Sequence, residues 1–176
     1  MGWILIFEFL NPAIYIFVPT YNYMAGFYAF DNLIEKCPPQ LKTDIFRLKL
    51  VQQRPDKHPE GNGFIHTQQV VDRLAVYKDI TLSLAGIFHD LGKFDTQTYN
   101  QEKKFHQQPG HEKESIKYVE RFKKWIINMG ADYDIVYGIV AQHMRLKVID
   151  NMKQAKQDEL MQLHYFDLLR KFSECD

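Results

Sequence analysis

The segment Thr81-Leu82-Ser83-Leu84-Ala85-Gly86-Ile87-Phe88-His89-Asp90-Leu91 constrains the fold more than any other part of the chain. From Leu82 to Leu91 it is apolar on almost every side. A helix of that kind has no face to offer water, so it belongs in the middle of a domain with other helices packed round it. Asp79 or Thr81 is placed to cap its start, and Gly92 to stop it. An imidazole and a carboxylate, His89 and Asp90, therefore sit at the end of the element that the rest of the chain must surround.

The flanking segments supply those helices. Pro38 and Pro39 open one in which Leu41, Ile45, Leu48 and Val51 or Gln52 recur at helical spacing until about Arg54-Pro55. A polar loop, Asp56 to Gly63, follows. A helix from about Phe64 to Tyr77 carries His66, Val70, Leu74 and Tyr77 on one inward stripe. After a polar connection containing Lys103-Lys104, His111 falls in the first turn of a helix bearing Ile116, Val119, Phe122, Ile126 and Met129, closed by Gly130. Asp132 caps the next, where Val136, Ile139, Val140 and His143 share a face. A last helix from about Asp158 carries Met161, Tyr165, Leu168, Leu169 and Phe172, and Asp176 prolongs that stripe.

The pattern predicts an all-α fold, a compact single-domain helical bundle with a partly irregular N-terminal segment. A length of 176 residues and an apolar fraction of 45% suffice for one core without disulfides or structural metal. Residues 38–176 form the domain, and the aromatic-rich residues 1–37 pack on it as a short strand or irregular cover. Glu8, Asn11 and Pro12 interrupt the apolar runs well short of the roughly 20 residues a spanning helix needs, and no basic stretch precedes them. Met24 is an alternative start. Twenty-two basic residues balance 22 acidic ones, which argues against a general nucleic-acid or membrane-surface binder. Cys37 and Cys175, without CxxC spacing, suit a reducing cytoplasm.

Imidazoles and carboxylates converging from separate helices make a divalent-cation site. His66, His89-Asp90 with Leu91-Gly92-Lys93, Gly110-His111-Glu112 and Gln142-His143-Met144 resemble, in H…HD…H…H…D order, the HD-domain metal-dependent phosphohydrolases. The segments look most like the HD domain that bacterial tRNA nucleotidyltransferases carry behind their polymerase head, over about Asp56 to Asp176. The nucleotidyltransferase head has no counterpart before Asp56, so CCA addition is not implied.

The resemblance implies that His66, His89, Asp90 and Asp176 bind one ion, and that His111 and His143, with Asp90 bridging, bind a second. Mixed nitrogen and oxygen ligation suits Mn²⁺, Fe²⁺, Co²⁺, Ni²⁺ or Zn²⁺, as one or two ions. Asp167 is the alternative acidic ligand. It precedes Arg170 and Lys171 by three and four residues, the spacing of a solvated ion pair, whereas Asp176 continues the apolar stripe. Because the sequence stops at Asp176, that ligand is expected to fray.

The implied activity is hydrolysis of a phosphomonoester or phosphodiester of a nucleotide or 2′,3′-cyclic phosphate, on a small molecule or an RNA end, by metal-activated water. Asp90 and Lys93 are the catalytic candidates; Lys93, Arg145 and His58 are the substrate-contact candidates. A di-iron oxygenase of the same fold and a non-catalytic nucleotide sensor are the alternatives. The basic residues between Lys113 and Lys124, interspersed with glutamates, read as a solvated face.

Overall fold

A computed structural model describes residues 3–5, 17–19, 26, 28–54, 56 and 59–176. Its helices are α1 (Phe30–Lys36), α2 (Pro39–Arg47), α3 (Gly63–Leu74), α4 (Ile80–Phe88), α5 (Lys93–Thr96), α6 (His111–Arg121), α7 (Lys123–Asn128), α8 (Tyr133–Leu146), α9 (Gln154–Met161) and α10 (Phe166–Cys175). Two small antiparallel hairpins accompany them, β1 (Trp3–Leu5) with β2 (Phe17–Pro19), and β3 (Thr98–Asn100) with β4 (Phe105–Gln107). The fold is all-α, as the periodicity predicts. No helix among the described residues is long and apolar enough to cross a membrane.

Helix α4 is the axis of the packing. Every residue from Thr81 to Phe88 is buried, and α3, α6, α8 and α10 lie against it. Asp79 is its cap, the Oδ1 atom accepting from the Thr81 and Leu82 N–H groups at 2.8 and 3.3 Å. Thr81 does other work: its hydroxyl accepts the Asp132 N–H at 3.1 Å and ties the start of α4 to the start of α8. Phe30, Leu33 and Cys37 are buried in the same core cluster as Leu41, Ile45, Leu48 and Val51, so α1 is packed into the domain. The side-chain packing expected of the segment before Gly26, and the alternative start at Met24, fall outside what is described, although β1 and β2 give that segment a short hairpin.

Several predicted boundaries shift. α4 ends at Phe88 rather than Leu91, and residues 89–92 form a tight turn in which Lys93 N–H reaches Asp90 O at 2.9 Å. Gly92 is not a left-handed stop, since its φ is −67°. It is glycine because a Cβ there would meet His111 O at 2.3 Å and Ser115 N at 2.6 Å. α2 gives way at Leu48 to a 3-10 turn, although Leu41, Ile45, Leu48 and Val51 are all fully buried. α3 likewise ends at Leu74, leaving Tyr77 37% exposed. The predicted helix after His111 breaks at Phe122 into α6 and α7, and the C-terminal one is interrupted between Met161 and Phe166. Met161 is 53% exposed, whereas Leu169 and Phe172 are fully buried, so one stripe does not run through both. The connection around Lys103-Lys104 is the β3–β4 hairpin, with Lys104 at φ 54° in its turn.

Candidate metal centre

Each member of the centre is delivered by the end of an element. The first turn of α3, capped by Asn62 accepting from Ile65 N–H at 3.1 Å, carries His66. The turn after α4 carries His89 and Asp90, α6 starts at His111, and the last turn of α8 carries His143. Helix α10 delivers Asp176, whose N–H bonds Phe172 O at 3.1 Å while Arg73 binds the Cys175 carbonyl at 3.0 Å. The fraying expected there is not observed: the Asp176 side chain is 1% exposed. Asp167 is exposed and stands outside the cluster.

Backbone carbonyls fix the protonation of three imidazoles. A carbonyl only accepts, so His89, His111 and His143 each carry hydrogen on Nδ1, donated to Gly86 O, Gln108 O and Val140 O at 2.8, 2.9 and 2.8 Å. His66 Nδ1 points at Glu60 Oε1, 2.8 Å away, which does the same work with a charged acceptor. All four Nε2 atoms therefore face inward, where each would offer a lone pair to a bound cation, the arrangement that outer partners impose on ligating histidines.

They meet two carboxylates. His66 Nε2 lies 3.0 Å from Asp176 Oδ1, and His89 Nε2 lies 3.6 Å from it. Asp90 faces both ways: Oδ2 is 3.2 Å from His89 Nε2 and 3.6 Å from His66 Nε2, and Oδ1 is 3.3 Å from His111 Nε2. His111 and His143 place their Nε2 atoms 3.3 Å apart. Two groups can each hold an ion, His66 with His89 and Asp176, and Asp90 with His111 and His143, their ligand atoms lying within 4.8 Å of one another in each group.

The donor set fits a cation. Buried polar atoms are nearly always hydrogen-bonded, yet His89 Nε2, Asp90 Oδ2 and Asp176 Oδ2 are buried without a hydrogen bond among the described residues. Lone pairs and negative oxygens turned on one point are satisfied by positive charge. The electrostatics agree. Burial alone would raise the Asp90 carboxyl, but His89, Lys93 and His111 hold it well below the usual range. Asp176 is held low against its burial in the same way by His89, His66 and Lys147. Burial, reinforced by His89, pulls His143 down to about 3 and keeps it a neutral donor. Burial works against charge on His111 as well, but its contact with Asp90 prevails and raises it.

Beside this centre opens a cleft of about 430 Å³ whose lining includes Asp90, His111, Lys93, Lys147, Arg54 and Lys103. Lys93 is buried, its Nζ 2.6 Å from Asp90 Oδ2 and donating to Gln53 Oε1 at 2.7 Å. Lys147 Nζ lies 2.8 Å from Asp176 Oδ2. Arg145, expected at the substrate, does not line the cleft: it donates to Gln142 at 2.9 Å and pairs with Glu159 on α9 at 3.4 Å. Being two residues from His143 it falls on another side of the helix, whereas Lys147, four residues on, shares its side. That i+4 relation was the available sign of Lys147. Gln53 and the wall formed by Phe105 and His106 of β4 had none, since turns and a three-residue strand carry no periodicity. His58 lies outside the described residues.

No curated protein and no solved structure gives a significant match. A family model described as the HD domain matches residues 63–169, more than half of the chain and the span holding His66, His89-Asp90, His111 and His143. With the convergence of those side chains on two cation-holding groups, that match makes the chain a member of the HD domain family, within the superfamily of metal-dependent phosphohydrolases.

Proposed function

We propose that the protein hydrolyses a phosphomonoester or phosphodiester of a nucleotide, including a 2′,3′-cyclic phosphate, at the centre formed by His66, His89, Asp90, His111, His143 and Asp176. One observation carries the reading: a cleft whose described lining has four cationic side chains and a single carboxylate opens onto buried donors suited to a divalent ion. A bound Mn²⁺, Fe²⁺, Co²⁺, Ni²⁺ or Zn²⁺ supplies Lewis acidity and an acidified water. The chain's own residues do the rest. Asp90 offers one oxygen to each half of the centre. Lys93, paired with Asp90 at the mouth of the centre, would meet a non-bridging phosphoryl oxygen as a point charge once a cation shared the Asp90 charge. The backbone carbonyls behind three histidines and Glu60 behind the fourth hold the rings against rotation. The likeness of the motif segments to the HD domain of tRNA nucleotidyltransferases supports nucleotide ends as the first substrates to try.

The test is a panel of p-nitrophenyl phosphates, 2′,3′-cyclic nucleotides, 2′- and 3′-nucleotides and dNTPs, each with several divalent ions. Divalent-dependent turnover is expected, with loss on His89→Ala and on Asp90→Ala; turnover unchanged by both would refute the assignment. The position of Asp90 between the two groups, Oδ2 toward His89 and His66 and Oδ1 toward His111, favours one second reading, a di-iron oxygenase, for which iron content and oxygen consumption are diagnostic. Nucleotide binding without turnover by the metal-loaded protein would indicate a sensor instead.

A further inference from the structure

The two carboxylates of the centre are each met from the cleft by a lysine. Lys93 reaches Asp90 Oδ2 at 2.6 Å, and Lys147 reaches Asp176 Oδ2 at 2.8 Å. The lysines come from different elements, one from the start of α5 just after the His89-Asp90 turn and the other from the end of α8. Both line the cleft. They differ in access, because the Lys93 side chain is 8% exposed and that of Lys147 34%. Among the described residues neither Asp90 Oδ2 nor Asp176 Oδ2 makes an aligned hydrogen bond, so the lysines neutralise these oxygens by proximity.

We infer that Lys147 is a phosphate-binding residue, the second arm of a two-lysine clamp that receives the substrate's phosphoryl oxygens. The inference rests on the phosphohydrolase reading and names a residue that the reading does not require. Were a divalent ion held by Asp176, it would take over the charge that Lys147 balances. The ammonium would then be left facing the cleft with no carboxylate to itself, on a long stem already one-third in solvent. Lys93 would be freed in the same way from Asp90. Beside it stands Gln53, whose Oε1 is committed to Lys93, so the Nε2 amide, buried and without a hydrogen-bond partner among the described residues, is a further donor next to the clamp. Two ammonium groups and an amide flanking a cation suit a dianionic phosphate in a way they do not suit a neutral ligand.

The experiment measures inorganic phosphate binding to the Mn²⁺-loaded protein by calorimetry, for wild type, Lys147→Met, Lys147→Gln and Lys147→Arg, with Mn²⁺ affinity measured separately on each. Removing one charge-assisted contact should weaken phosphate binding roughly tenfold to a hundredfold in the Met and Gln variants, with most of it retained in Arg. Mn²⁺ affinity in the Met and Gln variants should hold or rise, since a competitor for Asp176 is gone. If Lys147 only balances Asp176 in the fold, the Met and Gln variants will bind phosphate as tightly as wild type, and the inference is overturned while the phosphohydrolase reading stands. A wild-type protein that binds Mn²⁺ but no phosphate would overturn both.

Discussion

Replacing Gly92 with alanine should separate one half of the metal centre from the other. The added Cβ would stand 2.3 Å from His111 O, 2.6 Å from Ser115 N and 2.7 Å from Glu114 Cβ, where real contacts begin at about 3.0 Å. Two of those atoms are backbone in the first turn of α6 and have no rotamer to escape into. The helix start must retreat by the difference, 3.0 less 2.3, or about 0.7 Å. Overpacking of this kind costs about 1–3 kcal/mol, and the rigidity of the obstruction argues for the upper end. The retreat also stretches the buried bond from Gly92 N–H to Ser115 Oγ, now 2.9 Å, worth about 1 kcal/mol more. At about 2–4 °C per kcal/mol for a chain of this size, melting should fall by roughly 10 °C. Ligand distances tolerate only about 0.2 Å, so His111 leaves the group it shares with Asp90 and His143, while His66, His89 and Asp176 keep theirs. Gly86→Ala is the comparator: its Cβ meets side-chain rather than backbone atoms, Val71 Cγ2 at 2.9 Å and Leu74 Cδ1 at 3.0 Å. Calorimetric melts and metal stoichiometry by equilibrium dialysis measure both effects. A Gly92→Ala protein that melts within about 2 °C of wild type and binds metal identically would show that the close approach does not govern the site.

Glu60→Gln keeps a hydrogen-bond acceptor for His66 Nδ1 but removes its charge, which should weaken metal binding about 10-fold to 100-fold, the range for lost outer partners; an unchanged dissociation constant would remove Glu60 from the centre's support. The pH dependence of stability follows from His143, whose folded value of about 3 lies below the ordinary 6.5. The fold binds the proton less readily than the unfolded chain, so this contribution is whole above about 6.5 and drains as pH falls toward 3. Chelated protein should lose stability through that window, and His143→Leu should lose it less steeply; parallel curves would contradict the assignment. Burial pushes the Cys37 thiol up to about 12, so it should resist a disulfide reagent at pH 8 until the chain unfolds, and rapid labelling of the native protein at Cys37 would contradict its place in the core.

Helical phase revealed most of the centre because phase is a local property. His66 with Val70 and Leu74, and His143 with Val136, Ile139 and Val140, are placed inward by spacing alone, and all are buried. Asp132, and Asp79 as one of two candidates with Thr81, were legible as caps because an N-cap needs only a side-chain oxygen beside free N–H groups. What stayed hidden depends on contacts far apart in sequence. Gly92 looked like a stop because glycine after an apolar run commonly is one; its actual reason, the carbonyl of His111, lies nineteen residues further on. The break at Phe122 and the interruption after Met161 were missed because apolar residues recur on both sides of each at spacings an unbroken helix would also produce.

The cleft was the least legible part, and the cause is physical. A helix stripe is selected by burial, whose driving force acts on every apolar position, so it repeats and can be counted. The cleft's walls are held by single bonds between irregular segments: Gln97 Oε1 accepts the Gln52 N–H at 2.7 Å, Gln108 Nε2 donates to Gln52 O at 2.9 Å, and Arg54 lies over the Phe105 ring at 4.3 Å. Each joins residues at least forty-five positions apart and repeats nowhere. These contacts fix where Gln53 stands, and Gln53 in turn holds Lys93. The ligands of the centre are thus set by the periodic part of the sequence, while the shape that selects a substrate is set by its aperiodic part. Substitutions at Gln97 or Gln108 should accordingly change which phosphate ester is preferred before they change metal affinity, and a panel in which all substrates fall together with metal binding would break that division.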